Sequence, residues 1–150
     1  MAKKNKCNRS IPNAHLVKDE KLPKNIENPD SYYRRNPTWN FSRCDTNHER
    51  WSLAQCDDIF KSIILKLIDF ERRTWADIEN DKKRNHWIGA SDLSHEAQKR
   101  LKEKYPEFDK VFSLHLTGTL RLIGYILGGT YFIFWYDAKH EVCPSPKKHT

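Results

Sequence analysis

The sequence predicts an α+β fold in which two or three helices pack on one face of a small antiparallel β-meander. Between Ile59 and Ile68, apolar residues recur at spacings of three and four, which is typical of an amphipathic helix. From Val111 onward the pattern changes to the alternation and apolar runs of strands, with glycines between them. Because the helical pattern comes first and the strands follow, we expect helices and sheet to form separate layers.

The chain is predicted to hold one domain, residues 38–150, behind a basic and largely disordered tail, residues 1–37. The tail has few large apolar side chains and carries nine Lys/Arg against four Asp/Glu, so it contributes most of the net charge of +7. A local anchor is expected at Ser31-Tyr32-Tyr33. Positive charge favours contact with polyanions, whereas the simpler interpretation is a tail that charge keeps soluble.

Helices are expected at three places. The longest runs from about Ser52 to about Phe70, and Ser52 with Gln55 predicts a capping box at its start. A short helical turn is predicted at Thr74–Glu79. A further helix is predicted from Ser94 to about Lys104, since Pro106 follows shortly after it and cannot continue a helix.

The meander is expected to contain three consecutive strands joined by tight turns. Val111–Leu116 alternates, Leu120–Leu127 follows a turn, and Gly128-Gly129 predicts a hairpin before Thr130–Tyr136. The third strand is apolar on both faces, so we expect it to be covered on both sides. Shorter strands are predicted at Trp39–Arg43, His86–Gly89 and Glu141–Cys143.

The polar residues of the meander are the candidate site. Strand alternation predicts that His115, Arg121 and Tyr125 share the face opposite the helices, with His140 bordering them. An arginine offers a planar donor fork for phosphate, and a histidine or tyrosine can move a proton. These residues predict RNA binding and metal-independent cleavage, while the alternative is an ordinary polar sheet face. Further contacts with nucleic acid are predicted for Lys147, Lys148, His149 and Trp87.

Two families resemble parts of this chain. The segments Phe112–Leu116, Arg121–Tyr125 and Thr130–His140, with Asp137-Ala-Lys-His-Glu141 and Pro144-Ser-Pro-Lys-Lys-His149, are similar to a bacterial and phage family of unassigned function. That family ends in a comparable aromatic strand, an Asp-x-x-His-Glu turn and a Pro-Ser-x-Lys-Lys-His tail. More loosely, the order of elements and an arginine on a middle strand resemble the RelE/ParE toxin superfamily.

The RelE/ParE resemblance implies a toxin-type protein that cleaves messenger RNA on the ribosome or inhibits gyrase, with an antitoxin as a further partner. Only Arg121 carries over, with His140 or His115 as an acid or base. The leading hypothesis is therefore a toxin acting on RNA or the translation machinery. The alternative is a non-catalytic phage or mobile-element accessory protein that binds a protein partner through its sheet face.

Neither a metal nor another cofactor is expected. The spacing Cys44-x3-His48-x7-Cys56 matches no standard zinc pattern, so free thiols are predicted for these cysteines, for Cys7 and for Cys143. The N-terminus has no apolar export signal, and no apolar run approaches the length of a membrane span. A cytoplasmic protein without membrane contact is therefore expected.

Overall fold

The fold is built on a five-stranded sheet with the strand order β1-β5-β4-β3-β2. The structure, a computed structural model, describes residues 31–144. The strands are β1 (Thr38–Asn40), β2 (His86–Gly89), β3 (Lys110–Thr117), β4 (Leu120–Leu127) and β5 (Thr130–Asp137). Strand β1 runs parallel to β5, and the other neighbours are antiparallel. The predicted α+β class and the β3-β4-β5 meander are therefore confirmed.

The hairpin between β4 and β5 closes at the predicted glycine pair. Gly128 has a φ of 61° and Gly129 a φ of 88°, in the left-handed region that glycine adopts without a Cβ clash. The carbonyl of Gly129 also accepts a hydrogen bond of 2.8 Å from the buried Trp75 indole. The turn therefore both reverses the chain and fixes the helix that carries Trp75.

Three helices follow the predicted order, but the first begins later than expected. A π-helical turn, Phe60–Ile64, continues into α1 (Leu65–Glu71), and α2 (Trp75–Asn80) and α3 (His95–Lys104) are the other α-helices of the described residues. The predicted start at Ser52 is wrong, because Ser52 caps only a 3-10 turn, Leu53–Gln55, which ends in extended backbone. Its hydroxyl accepts from the Ala54 N–H, so the predicted box with Gln55 does not form.

Helices cover both faces of the sheet, not one. On the first face, α1 and α2 pack their apolar residues onto alternate strand residues that include Phe112, Leu114 and Leu122. On the opposite face, Ala97 and Leu101 of α3 pack with a second group. This group includes Val111, Ile123 and Phe134. The predicted single helix layer is therefore wrong for α3, which covers the opposite face. The short apolar stripe of α3 does not indicate which face of the sheet it covers.

The folded unit begins at Tyr32, inside the segment that the sequence analysis assigned to the tail. The Tyr32 hydroxyl donates to Glu79 at 3.0 Å, and the Trp75 N–H donates to the Arg35 carbonyl at 3.0 Å. The Asn36 side chain donates to the Glu71 carbonyl at 2.7 Å. These contacts tie the segment to α1 and α2. Residues 1–30, which hold the rest of the predicted tail and Cys7, lie outside the described residues.

Two further predictions concern the ends of the sheet. Strand β5 is buried on both faces, as its apolar sequence indicated. The predicted strand at Glu141–Cys143 does not form, since this segment folds back as a loop onto the end of β5. Within residues 31–144, no helix is both long and apolar enough to cross a bilayer.

Candidate functional site

A row of polar residues crosses the end of the meander. His115 on β3 pairs with Arg121 on β4, and Arg121 pairs with Asp137 on β5. Directly opposed residues of antiparallel strands have their Cβ atoms about 5 Å apart on the same face. His115 and Arg121 are partly exposed, whereas Asp137 is buried. The sheet therefore brings together two of the residues that the sequence singled out.

Arg121 is held by backbone carbonyls. Its guanidinium donates to Gly118 O at 2.8 Å and to Leu120 O at 3.3 Å. Within residues 31–144 it forms no ion pair with a carboxylate, neither with Asp137 nor with Glu141. Burial lowers the pKa of Arg121, although the nearby Asp137 acts in the opposite direction. Because no carboxylate of the described residues binds the Arg121 guanidinium, this group is suited to binding another anion.

His115 has a defined tautomer in its neutral form. Its Nε2 lies 3.1 Å from the carbonyl oxygen of Gly118. Because a carbonyl only accepts, Nε2 carries the proton, and Nδ1 is the basic nitrogen. Burial, followed by the charge of Arg121, lowers the pKa of His115. The ring is therefore a neutral base near pH 7 that lies beside a fixed positive charge.

His140 and His86 extend the cluster. His140 has a φ of 58° in the turn after β5, and its pKa is lowered by burial and then by Arg121. His86 lies on β2 opposite Ser113, and burial, then Arg121 and His140, lower its pKa. His86 was not among the predicted site residues, because only the pairing of β2 with β3 brings it to this corner. Three histidines thus respond to the charge of one arginine.

Asp137 organises the turn that carries His140. Its carboxylate accepts the backbone N–H groups of Glu141 at 2.8 Å and Val142 at 2.9 Å. Burial raises the pKa of this carboxyl group, and these two hydrogen bonds act against that rise. The Asp-x-x-His-Glu turn is therefore a local structure in which the aspartate positions the histidine.

A basic loop borders the cluster on its other side. Lys82, Lys83 and Arg84 lie between α2 and β2, and all three are exposed. The charge of Arg84 is one of the causes that lower the pKa of His115. Asn85, which ends the loop, accepts the His115 N–H at 2.9 Å and so joins the loop to β3. The Asp81 carboxylate lies 3.9 Å from the Arg84 guanidinium and offsets part of this charge, so the net positive charge of the loop comes from Lys82 and Lys83.

Other predicted site residues lie elsewhere. Tyr125 is four positions along β4 from Arg121, about 13 Å at the usual strand rise, and its ring packs against Phe108. Trp87 packs edge-on against Phe112 and Tyr125, and the Lys110 ammonium covers its ring at 4.4 Å. Both aromatic rings therefore have partners within the fold. Lys147, Lys148 and His149 lie outside the described residues.

The Cys44-His48-Cys56 pattern does not converge on one point. Cys44 and Cys56 pack with the first core, and both are free thiols, as is Cys143. His48 stacks on Trp51 at a centroid distance of 4.2 Å, and its Nε2 lies 3.1 Å from Glu96. In the described part of the chain, no three His, Cys, Asp or Glu residues are arranged to hold a metal ion.

The arrangement at the sheet corner is suited to binding a phosphodiester and to moving protons beside it. No family model matches the chain, and no curated protein or solved structure matches it. The resemblance to RelE/ParE toxins therefore stays a prediction, and the function is argued from the side chains of this corner.

Proposed function

We propose that this protein binds the RNA backbone at the sheet corner and cleaves it without a metal ion, as a toxin-type endoribonuclease. The observation that carries the proposal is the position of Arg121, which forms no ion pair among the described residues, although Asp137 is its neighbour on β5, and whose charge acts on three histidines. A planar guanidinium binds two phosphate oxygens at once. Arg121 also lies on the middle strand of the meander, the position that the RelE/ParE resemblance implies.

The proposed reaction is an internal transfer of the phosphoryl group. His115 Nδ1 removes the proton from a ribose 2′-hydroxyl, and the 2′-oxygen attacks the adjacent phosphorus. The bond from phosphorus to the 5′-oxygen breaks, and His140, whose protonated form the bound phosphate favours, donates a proton to that oxygen. The products are a 2′,3′-cyclic phosphate and a free 5′-hydroxyl. Arg121 neutralises the charge that develops on the phosphoryl oxygens.

A variant series at Arg121 tests this proposal. We expect Arg121→Ala to retain the fold, to abolish RNA cleavage and to relieve growth inhibition on expression. Arg121→Lys should rescue poorly, because an ammonium cannot copy the planar fork. Lys139→Ala is the matched control, since Lys139 is an exposed cation in the adjoining turn. Unchanged RNA affinity and cleavage in a folded Arg121→Ala protein would contradict the proposal.

The histidines predict how RNA binding depends on pH. In the free protein, burial and Arg121 lower the pKa of His86, His115 and His140. A bound phosphate adds negative charge, which favours the protonated rings, so binding takes up protons. We expect affinity for a non-cleavable RNA oligonucleotide to increase as pH falls from about 7 to about 5.5. An affinity that is independent of pH would show that the histidines do not contribute to phosphate binding.

The alternative, a non-catalytic protein that binds a partner through its sheet face, has less support. Helix α3 and its neighbouring loops cover much of the face that was expected to be open. The corner that stays accessible is polar and cationic, which favours an anion over an apolar protein surface. An antitoxin partner stays a prediction.

A further inference from the structure

The first helical segment exposes a stripe of apolar side chains. Ile59 is 45% exposed, Phe60 58%, Leu65 47% and Ile68 37%. The buried side of the same segment is formed by Ile63, Leu67 and Phe70, so its contact with the sheet is already complete. Contiguous exposed apolar residues are uncommon on a protein that acts alone, and they mark interaction surfaces.

The π-helical turn creates the stripe. The N–H of Leu65 donates to the carbonyl of Phe60, five residues earlier, so the wider turn brings these two residues closer together around the helix axis. Ile68 then follows Leu65 by three residues in the α-helical part, on the same side. Without the π turn, Phe60 and Leu65 would be separated around the helix. The π-helical turn therefore brings apolar residues together on the solvent side, where they do not contribute to the core of this chain.

An acidic residue and a basic residue lie at the two ends of the stripe. Asp57 precedes the helical segment, and Arg72 follows Ile68 by four residues, which continues the stripe. Both residues are exposed, and neither forms an ion pair with another residue of the 31–144 region. An antiparallel copy of the same helix would place its Arg72 beside Asp57 of the first. These two side chains are therefore available to pair between two copies.

We propose that a second copy of this chain docks on the stripe formed by Ile59, Phe60, Leu65 and Ile68, with the two helical segments antiparallel about a two-fold axis. Such a contact is isologous, so each copy supplies the same apolar residues. Asp57 of each copy then faces Arg72 of the other, and the ion pair forms twice. The interface is a single helix pair and hence small, so the dimer forms at elevated protein concentration.

Sedimentation velocity over a concentration series tests the apolar part. The unmodified chain should change from monomer to dimer as its concentration rises, whereas Phe60→Glu and Leu65→Glu should stay monomeric and folded. Leu127→Glu is the matched control, because Leu127 is 61% exposed but lies at the end of β4. The control should dimerise like the unmodified chain. A monomer at every concentration, or equal loss in the control, would overturn the proposal.

A charge exchange tests the antiparallel orientation. In the antiparallel pair, Asp57→Arg places an arginine opposite Arg72, and Arg72→Asp places an aspartate opposite Asp57, so each variant alone should dimerise about ten-fold more weakly. Mixed together, the two variants should form a heterodimer, because every facing pair is then again of opposite charge. Thermal unfolding shows that each variant is folded. Failure of the mixture to associate, while the unmodified chain dimerises, would reject this orientation.

Discussion

At the scale of single residues, the surroundings of Gly124 leave no room for a side chain. A Cβ atom at this position would lie 2.1 Å from the Phe132 carbonyl oxygen and 3.0 Å from the Tyr131 ring. The Tyr131 hydroxyl, in turn, lies 2.8 Å from Phe112 O and 3.0 Å from Leu122 O. A buried tyrosine thus crosses the sheet over a strand position that has no side chain, beside the bulge between Ile123 and Gly124.

Replacing Gly124 by alanine is therefore expected to destabilise the fold. The added methyl group clashes with backbone, which cannot rotate away, so Gly124→Ala should lower the free energy of unfolding by about 3 kcal/mol. Chemical denaturation measures this change. Gly89→Ala is the control, since its Cβ would meet only Asp92 Oδ2 at 3.8 Å. Similar stabilities for the two variants would show that the sheet relaxes around position 124.

Single residues also show where the sequence was informative. Arg121 could be identified, because a charge inside a long apolar stretch needs an unusual environment. His86 could not, because its place depends on the pairing of β2 with β3 across 20 intervening residues, Ala90 to Asp109. Tyr125 was placed beside Arg121 from alternation alone, which gives the face of a strand but not the distance along it.

At the scale of elements, one buried aspartate attaches the 41–51 segment to α3. Asp45 accepts two hydrogen bonds of 2.7 Å from Arg100, and the Trp135 indole donates to it at 3.1 Å. The N–H groups of Asn47 and His48 donate to the same carboxylate. Burial is the largest single influence and raises the pKa of Asp45, but the hydrogen bonds from Arg100, Asn47 and Trp135, together with the charge of Arg100, outweigh it and hold the pKa well below its usual range.

This depressed pKa predicts an acid-sensitive connection between the segment and α3. Stabilisation by ionised Asp45 is fully present above the unfolded-state pKa of about 3.9 and is lost as pH falls below it. Asp45→Asn should lower the free energy of unfolding by about 3 kcal/mol at pH 7 and by less at pH 3. Urea unfolding at several pH values measures this. For Asp69→Asn, which affects an exposed pair with Arg73, we expect little change. Parallel pH profiles for the Asp45→Asn protein and the unmodified chain would contradict this assignment.

Elements were predicted well where a local pattern determines them. The strands of the meander and the helix before Pro106 follow from alternation, glycine turns and a Ser94 cap, all of which the sequence contains. The start of the first helix was misplaced because Ser52 is a good cap in either a 3-10 or an α-helical turn. What ends the turn is the extended backbone at Cys56, for which the sequence has no glycine or proline signal.

At the scale of the whole molecule, the two cores share one sheet. Consecutive residues of β3 point into opposite cores, as Val111 and Phe112 show. Loss of either helix layer would therefore expose the strands that the other layer needs. The sequence predicted that all the helices lie in one layer, since the period of α3 does not say which face of the sheet it covers. The shared strands imply that both layers unfold together.

This coupling is tested by weakening one core at a time. Leu67 of α1 is 3% exposed and Leu101 of α3 is 2% exposed, so truncation of either to alanine should cost about 2–5 kcal/mol. Since the strands are common to both cores, each variant should still unfold in one transition, with far-UV circular dichroism and tryptophan fluorescence superimposed. Both cores contain buried tryptophans, Trp75 in one and Trp135 in the other, so the fluorescence reports on both. Lys102→Ala on the exposed side of α3 is the control and should not change the midpoint of the unfolding transition. Two separate transitions in the Leu101→Ala protein would show that α3 folds onto a sheet that is already stable without it.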